Sequence, residues 1–488
     1  MKKIGLFAMA LLAMAGCAKE NIAQEENNQA NGNHPLLEIG LESTKVALGA
    51  EENGKFPVVW SEGDEIAVID NMGIEGKQNV SIYRLKSGAG SSNGTFEHVS
   101  GDAFPAVIND VIFPASVVLP QSTLLSDIPL IDPTKLVKKE QTQGYAKDNF
   151  DPSSPVLYFH NNSDKKAPIV LSPITCVVCI PIKGYDDNDF VTAVKWQHVD
   201  GRTVTVRLNC PEGGVKLSKN QATNFYLSVP ATVKDWNRFN SMVYVYLKNG
   251  AIQVQTPRNR ERFEAGTLHR FPEWQLGKKA KWTIKYIGSE REASMSNQTP
   301  LGPGQYMIDG NDISWWEFKR KLNDNGKPVM TGPHKVIIDL GQTEHIKGLK
   351  IKGPETKKTS SYIVDGNTIK VPDGYNAPYS VYASFLKEGE LTDDFRKGFC
   401  NNNNFGDTKT YPNFHAQEIH DAVYNATAGK TMATYYGSDM KSWWNIDFGK
   451  TYKDVRYVAI HFYKCWNDKE NGGAANKMKV AELDIITE

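Results

Sequence analysis

The chain has 488 residues, too many for one ordinary hydrophobic core, so two or three domains are expected. Its 56 basic and 56 acidic residues balance, leaving no net field to draw in nucleic acid or an anionic surface. With 10% aromatic residues, 40 Gly and 24 Pro, the composition suits a turn-rich β protein.

The N-terminus comes first. Lys2-Lys3 is a basic start, "IGLFAMALLAMA" is an apolar stretch too short to span a bilayer, and Gly16-Cys17 closes it. Residues Met14-Ala15-Gly16-Cys17 resemble a bacterial lipobox, with Met where Leu is commoner. The resemblance implies a signal peptide over 1–16, cut before Cys17, and lipid on the Cys17 thiol. Membrane attachment is then through the lipid anchor alone, with several acyl chains needed because each buried methylene contributes only about 0.8 kcal/mol. Residues 17–35 are polar and read as a flexible tether. Lys19-Glu20 looks like the surface-export signal of Bacteroidota lipoproteins, which implies an outer-membrane, cell-surface location. No later apolar run reaches transmembrane length.

From 36 to 276 the pattern is strands and turns. In "VVWSEGDEIAVID" the acids Glu62, Asp64 and Glu65 stand between two β-branched runs, and Glu62-Gly63-Asp64 reads as a solvent-facing turn, not a catalytic cluster. "MVYVYLKNGAIQVQT" is a hairpin turning on Asn249-Gly250, and "TAVKWQHVDGRTVTVRL" repeats the device with Asp200-Gly201. Proline-containing segments divide the region near residue 165, giving subdomains at about 36–165 and 166–276. Of the cysteines beyond Cys17, Cys176 and Cys179 lie three apart in an apolar strand-like run, so their thiols are expected on opposite faces and buried.

"VVWSEGDEIAVID", "SIYRLKSGAGSSNGTF", "DVIFPAS" and the later "AGTLHRF" resemble the fimbrillin-like family of Bacteroidota surface lipoproteins. That resemblance implies two transthyretin-like β-sandwiches over 36–276 and fimbrial subunits as partners. Polymerising members are trimmed after an arginine near the N-terminus, which frees a groove for a neighbour's strand. Here the first arginine is Arg84, already inside the first sandwich, so this mode of assembly is in doubt.

The texture changes after residue 280. "HKVIIDLGQTEHIKGLKI" and "WWNIDFGKTYKDVRYVAIHF" echo each other as strand, Ile-Asp-(Leu/Phe)-Gly, polar turn, strand, by duplication or by shared hairpin grammar. With "DGNDISWW" before them and "AELDI" after, they resemble a discoidin-like domain, the galactose-binding-like jelly roll, over 280–488. The fold class expected for the whole chain is therefore all-β. In many such modules a structural Ca²⁺ is held near these motifs, which implies Asp309, Asn311, Ser314 and Glu482 as oxygen donors here. The family's carbohydrate modules commonly present a ring from the loop before the last strand, which implies Trp466 with Asn467 and Asp468 as the sugar platform. If Trp466 instead packs in the core, Tyr411, His415 and Trp443, in or just beyond the unassigned 386–440 insert, are the next candidates.

His415 and His420 are spaced i,i+5, not the i,i+4 that puts two zinc ligands on one helical face, and no nucleophile, phosphate-loop or dinucleotide motif occurs. The chain is thus not expected to be an enzyme. It reads as a surface lipoprotein whose C-terminal domain binds carbohydrate, a glycan or another host cell-surface ligand, on a fimbrillin-like stalk. The other reading is a fimbrial tip or structural subunit acting in adhesion.

Overall fold

A computed structural model describes residues 36–42, 59–70, 79–101, 108, 110–118, 136–143, 150–151, 153–161, 168–200, 202–231, 241–255, 263–287, 304–310, 316–317, 321–322, 328–329, 334–353, 359–364, 367–372, 378–401, 443–465 and 479–488. Within them the chain is all-β as expected, with one short α-helix, Asp393–Asn401.

The first β domain closes its own edges into a barrel. Strands Leu37–Leu41, Asn93–Gly101, Asn79–Ser87, Glu65–Asp70, Asp110–Phe113, Leu157–His160 and Ile169–Pro173 follow one another round a ring, and Ile169–Pro173 pairs in parallel with Leu37–Leu41. Closure removes the unpaired strand edges that would otherwise invite another chain. Trp60 fills the interior, 1% exposed, edge-on to Phe96 and Phe113 at centroid distances of 4.8 and 5.5 Å. The acids beside it do belong to a turn. Asp64 Oδ2 accepts the Ser61 N–H at 2.7 Å, Gly63 takes φ +85°, and Glu65 pairs with Arg84 on the surface.

The middle domain packs two sheets face to face. One runs Ile252–Gln255, Ser241–Leu247, Phe190–Asp200, Arg202–Asn209, Glu140–Thr142; the other runs Thr223–Pro230, Thr175–Lys183, Leu268–Arg270. Trp196, Val206 and Val245 from the first meet Val178, Ile180 and Phe225 from the second. Both predicted hairpins form, with Gly250 at φ +93° and Asp200 opposite Arg202. Cys176 and Cys179 are both buried and join different apolar clusters, as alternation along a strand requires.

The division between these domains differs from a cut near 165. Ile169–Pro173 completes the first ring, so the chain leaves it at Pro173. Glu140–Thr142, earlier in sequence, pairs with Arg202–Asn209 of the middle domain. The Gln141 side chain then spans to the opposite sheet, donating to the Ser228 carbonyl and accepting the Ser228 N–H.

The C-terminal domain is built on two long strands, His334–Lys352 and Trp444–Cys465, paired antiparallel. Pro378–Leu386 lies outside Trp444–Cys465. Thr283–Ile287 and Glu482–Thr487 share the other edge of His334–Lys352, at residues 336–339 and 346–352 respectively. The two echoing motifs are thus not separate hairpins. Each is one continuous strand with a kink, and the kinks are alike: Asp339 Oδ1 accepts the Gly341 N–H and Asp447 Oδ1 accepts the Gly449 N–H, with the glycines at φ +75° and +67°. A Cβ on Gly341 would stand 2.6 Å from the Lys281 carbonyl, so the first kink also needs glycine for space.

Val336, Ile338, Leu349, Val458, Ile460 and Leu483 fill one side of this sheet. The other side is covered by Asp393–Asn401, through Phe395 and Phe399 against Ile337, Leu386 and Ala459. That helix lies in the unassigned insert. Thr392 caps it by accepting the Phe395 N–H at 3.1 Å, and Asp393-Asp394 suit its N-terminal dipole.

Candidate functional site

The connection between the middle and C-terminal domains reads "GKKAKW", and its Lys278–Lys281 turn sends three lysines to four acids. Lys278 pairs with Glu344 at 2.7 Å, Lys279 pairs with Glu482, and Lys281 reaches back to Asp189 and Asp186 of the middle domain at 2.7 and 2.9 Å. Asn249, from the tight hairpin, donates to the Ala280 carbonyl at 2.8 Å. The connection is clamped on both sides.

Asp309 and Glu482, two of the four residues implied for Ca²⁺, are buried at this junction, 0% and 2% exposed. The Asp309 carbonyl accepts the Val254 N–H of the middle sheet at 3.0 Å, and Tyr306, just before it, packs on Tyr244 with centroids 5.9 Å apart. The Asp309 carboxylate is felt at the Tyr244 and Tyr306 hydroxyls, where burial first and this charge in addition push both phenols up. Lys195 Nζ stands 3.5 Å from the centroid of the Tyr244 ring, and burial lowers its ammonium to about 8.

Glu482 faces a different neighbourhood. Burial pushes its carboxyl up to about 7, against which Lys279 and the Gly310 N–H, 3.2 Å away, favour the charged form. Its Oε2 is buried without a hydrogen-bond partner among the described residues. Lys279 Nζ also donates to the Leu483 carbonyl at 2.9 Å and lies 5.7 and 5.9 Å from the ring centroids of Trp282 and Trp443. A cleft of about 390 Å³ opens beside these groups, lined by Gln253, Trp274, Lys279, Trp282, Asp309 and Asp484.

Of the four residues implied for Ca²⁺, Asp309 and Glu482 lie among the described residues. Among the described residues no three His, Cys, Asp or Glu side chains converge as a metal site. A Ca²⁺ on Glu482 about 5 Å from the Lys279 ammonium would be repelled by about 7 kcal/mol at an effective dielectric of about 20. Asn311 and Ser314 lie outside the described residues, as do Cys17, Tyr411, His415, Trp466, Asn467 and Asp468.

Trp443 is described, and its place separates it from the loop candidates. It precedes Trp444, which pairs with Ile351 at the end of the sheet where Glu482 pairs with Lys352. Its ring is flanked by Lys279 and by the buried Lys352, whose Nζ is 6.0 Å away. Cys465, after which Trp466 follows, is the opposite end of the same strand. There Cys465 stands opposite Pro378, and Phe462 opposite both Val381 and His334. Thr283 pairs with Asp339 beside the junction, and Ile287 has already advanced to Val336, so that end points away from the middle domain. Trp443 and Cys465 therefore mark opposite ends of the sheet.

The lysines of the connection went unread in the sequence, where the domain boundary was drawn through them. The signal was present as four polar-basic positions, Lys278, Lys279, Lys281 and Lys285, flanking buried Ala280 and Trp282.

No family model and no curated protein matches the chain. Among solved structures it is similar to the C-terminal domain of a chitobiase from Bacteroides fragilis, at 14% identity and TM-score 0.24, over 43% of this chain and 96% of that one. It is also similar to the family 32 CBM of C. perfringens NanJ in complex with galactose, at 12% identity and TM-score 0.22, over 43% and 95%. A further Clostridium perfringens module, in complex with GalNAc-β-1,3-galactose, matches at 12% identity and TM-score 0.24, over 43% and 98%. TM-scores this low carry no functional inference.

Proposed function

We propose that the chain is a surface lipoprotein that binds carbohydrate through its C-terminal domain, with the two preceding β domains as its stalk. One observation carries the reading: the ends of three strands, at His334, Pro378 and Cys465, stand together at the end of the C-terminal sheet that points away from the stalk. Trp466-Asn467-Asp468 leaves from that end. A sugar offers an apolar C–H face and a rim of hydroxyls, and an indole followed by an amide and a carboxylate is the matching set. Asp309, Glu482 and Trp443, by contrast, are engaged with the connection and serve the junction.

Two measurements test this. Full-length protein on a glycan array should retain sugar, and Trp466→Ala should abolish retention while shifting stability by no more than about 1 kcal/mol. Retention unchanged by that substitution would remove the 466–468 segment from the site. For the anchor, Cys17→Ala should move the protein from the membrane to the soluble fraction; membrane association that persists would refute lipidation at Cys17.

A further inference from the structure

We propose that the Lys279 ammonium is the built-in cation of the carboxylate site that a discoidin-like domain gives to Ca²⁺, so that this junction is held without metal. The ion pair engages one carboxylate oxygen, Glu482 Oε1, and leaves Oε2 buried beside it. Lys279 is 15% exposed, Glu482 3% exposed at the side chain, and the two are in direct contact. Two of the three ammonium donors are used, on Glu482 Oε1 and the Leu483 carbonyl, and the indole of Trp282 covers the charge. The same carboxylate oxygen takes the Gly310 N–H, so the ion pair also fastens the Tyr306–Gly310 segment to the last strand.

A lysine in this role differs from a bound ion in one measurable way. An ion stabilises by mass action, so its effect rises with its concentration and vanishes with chelator. A side chain is covalently present and responds to neither. Lys279 has a second consequence through its position. Its neighbours on the same turn hold Glu344 on one side and Asp186 and Asp189 on the other, so the turn that pairs with Glu482 also ties the C-terminal domain to the stalk.

The test uses the full chain and no sugar, so it stands or falls separately from glycan binding. Elemental analysis of the purified protein should find no stoichiometric calcium, and calorimetric melts in EDTA and in CaCl₂ should superimpose. Lys279→Met should lower the melting temperature of the C-terminal transition by about 5 °C or more. Adding Glu482→Gln to Lys279→Met should recover part of that loss, because a neutral amide no longer needs the cation. Stoichiometric calcium, a wild-type melt lowered by EDTA and restored by CaCl₂, or strictly additive shifts of the two substitutions would each overturn the assignment. If Lys279→Met does not fold, the metal content and the wild-type melts decide alone.

Discussion

Trp60→Ala is expected to destabilise the first β domain by about 3–5 kcal/mol, the range for truncating a buried Trp or Phe. The indole is 1% exposed, touches Phe96 and Phe113 edge-on, and donates from Nε1 to the Ile39 carbonyl at 3.3 Å. Leu37–Leu41, which carries Ile39, joins the two halves of the ring, so the loss would loosen its closure as well as its core. Trp60→Phe keeps a ring and should cost clearly less. Denaturant unfolding followed by near-ultraviolet circular dichroism measures both, with exposed Glu62→Ala as the surface control. A Trp60→Ala midpoint no lower than that of the control would show that the core is organised elsewhere.

The second large effect is expected at Asp339. Its side chain is 7% exposed and accepts from Arg456 at 2.7 Å, from Gly341 N–H at 2.8 Å and from Lys285 at 3.2 Å. Asp339→Ala would leave the Arg456 guanidinium to the Gly341 carbonyl and the exposed Glu388, and undo the first kink, at a cost of about 3 kcal/mol. Burial pushes the Asp339 carboxyl up, but the Gly341 N–H, Arg456 and Lys285 outweigh it and hold it below the usual carboxylate value. A carboxyl that titrates lower in the folded than in the unfolded chain contributes its full stability above the unfolded value, about 3.9. As pH falls below that value and through the folded one, the contribution is lost. The wild-type C-terminal transition should therefore drop, as pH falls below about 4, more steeply than that of Asp339→Asn. Parallel pH profiles for the two proteins would mean that Asp339 does not carry the charge that holds the kink.

Much of this molecule was legible where the relevant physics is local. Asn249-Gly250 turns tightly because those residues tolerate the backbone the turn needs, whatever surrounds them. Cys176 and Cys179 had to face opposite ways because side chains alternate along any strand. The shared Ile-Asp-x-Gly kinks are likewise written in four residues each, since an Asp side chain caps its own backbone two positions on. Partners far apart in sequence are a different matter. Nothing near Glu140 says that it pairs with Arg207, and nothing near Ile346 says that it pairs with Tyr452. Alternation specifies which face of a strand is apolar but not which strand lies beside it, so two kinked strands looked like four short ones. The site shows the same limit. Asp309, Glu482 and Trp443 were visible as chemistry, but what each one faces depends on how the connection folds across the last strand. Only the tertiary structure places Lys279 on Glu482, and Trp443 and Cys465 at opposite ends of one strand, because charge and burial are properties of the packed chain.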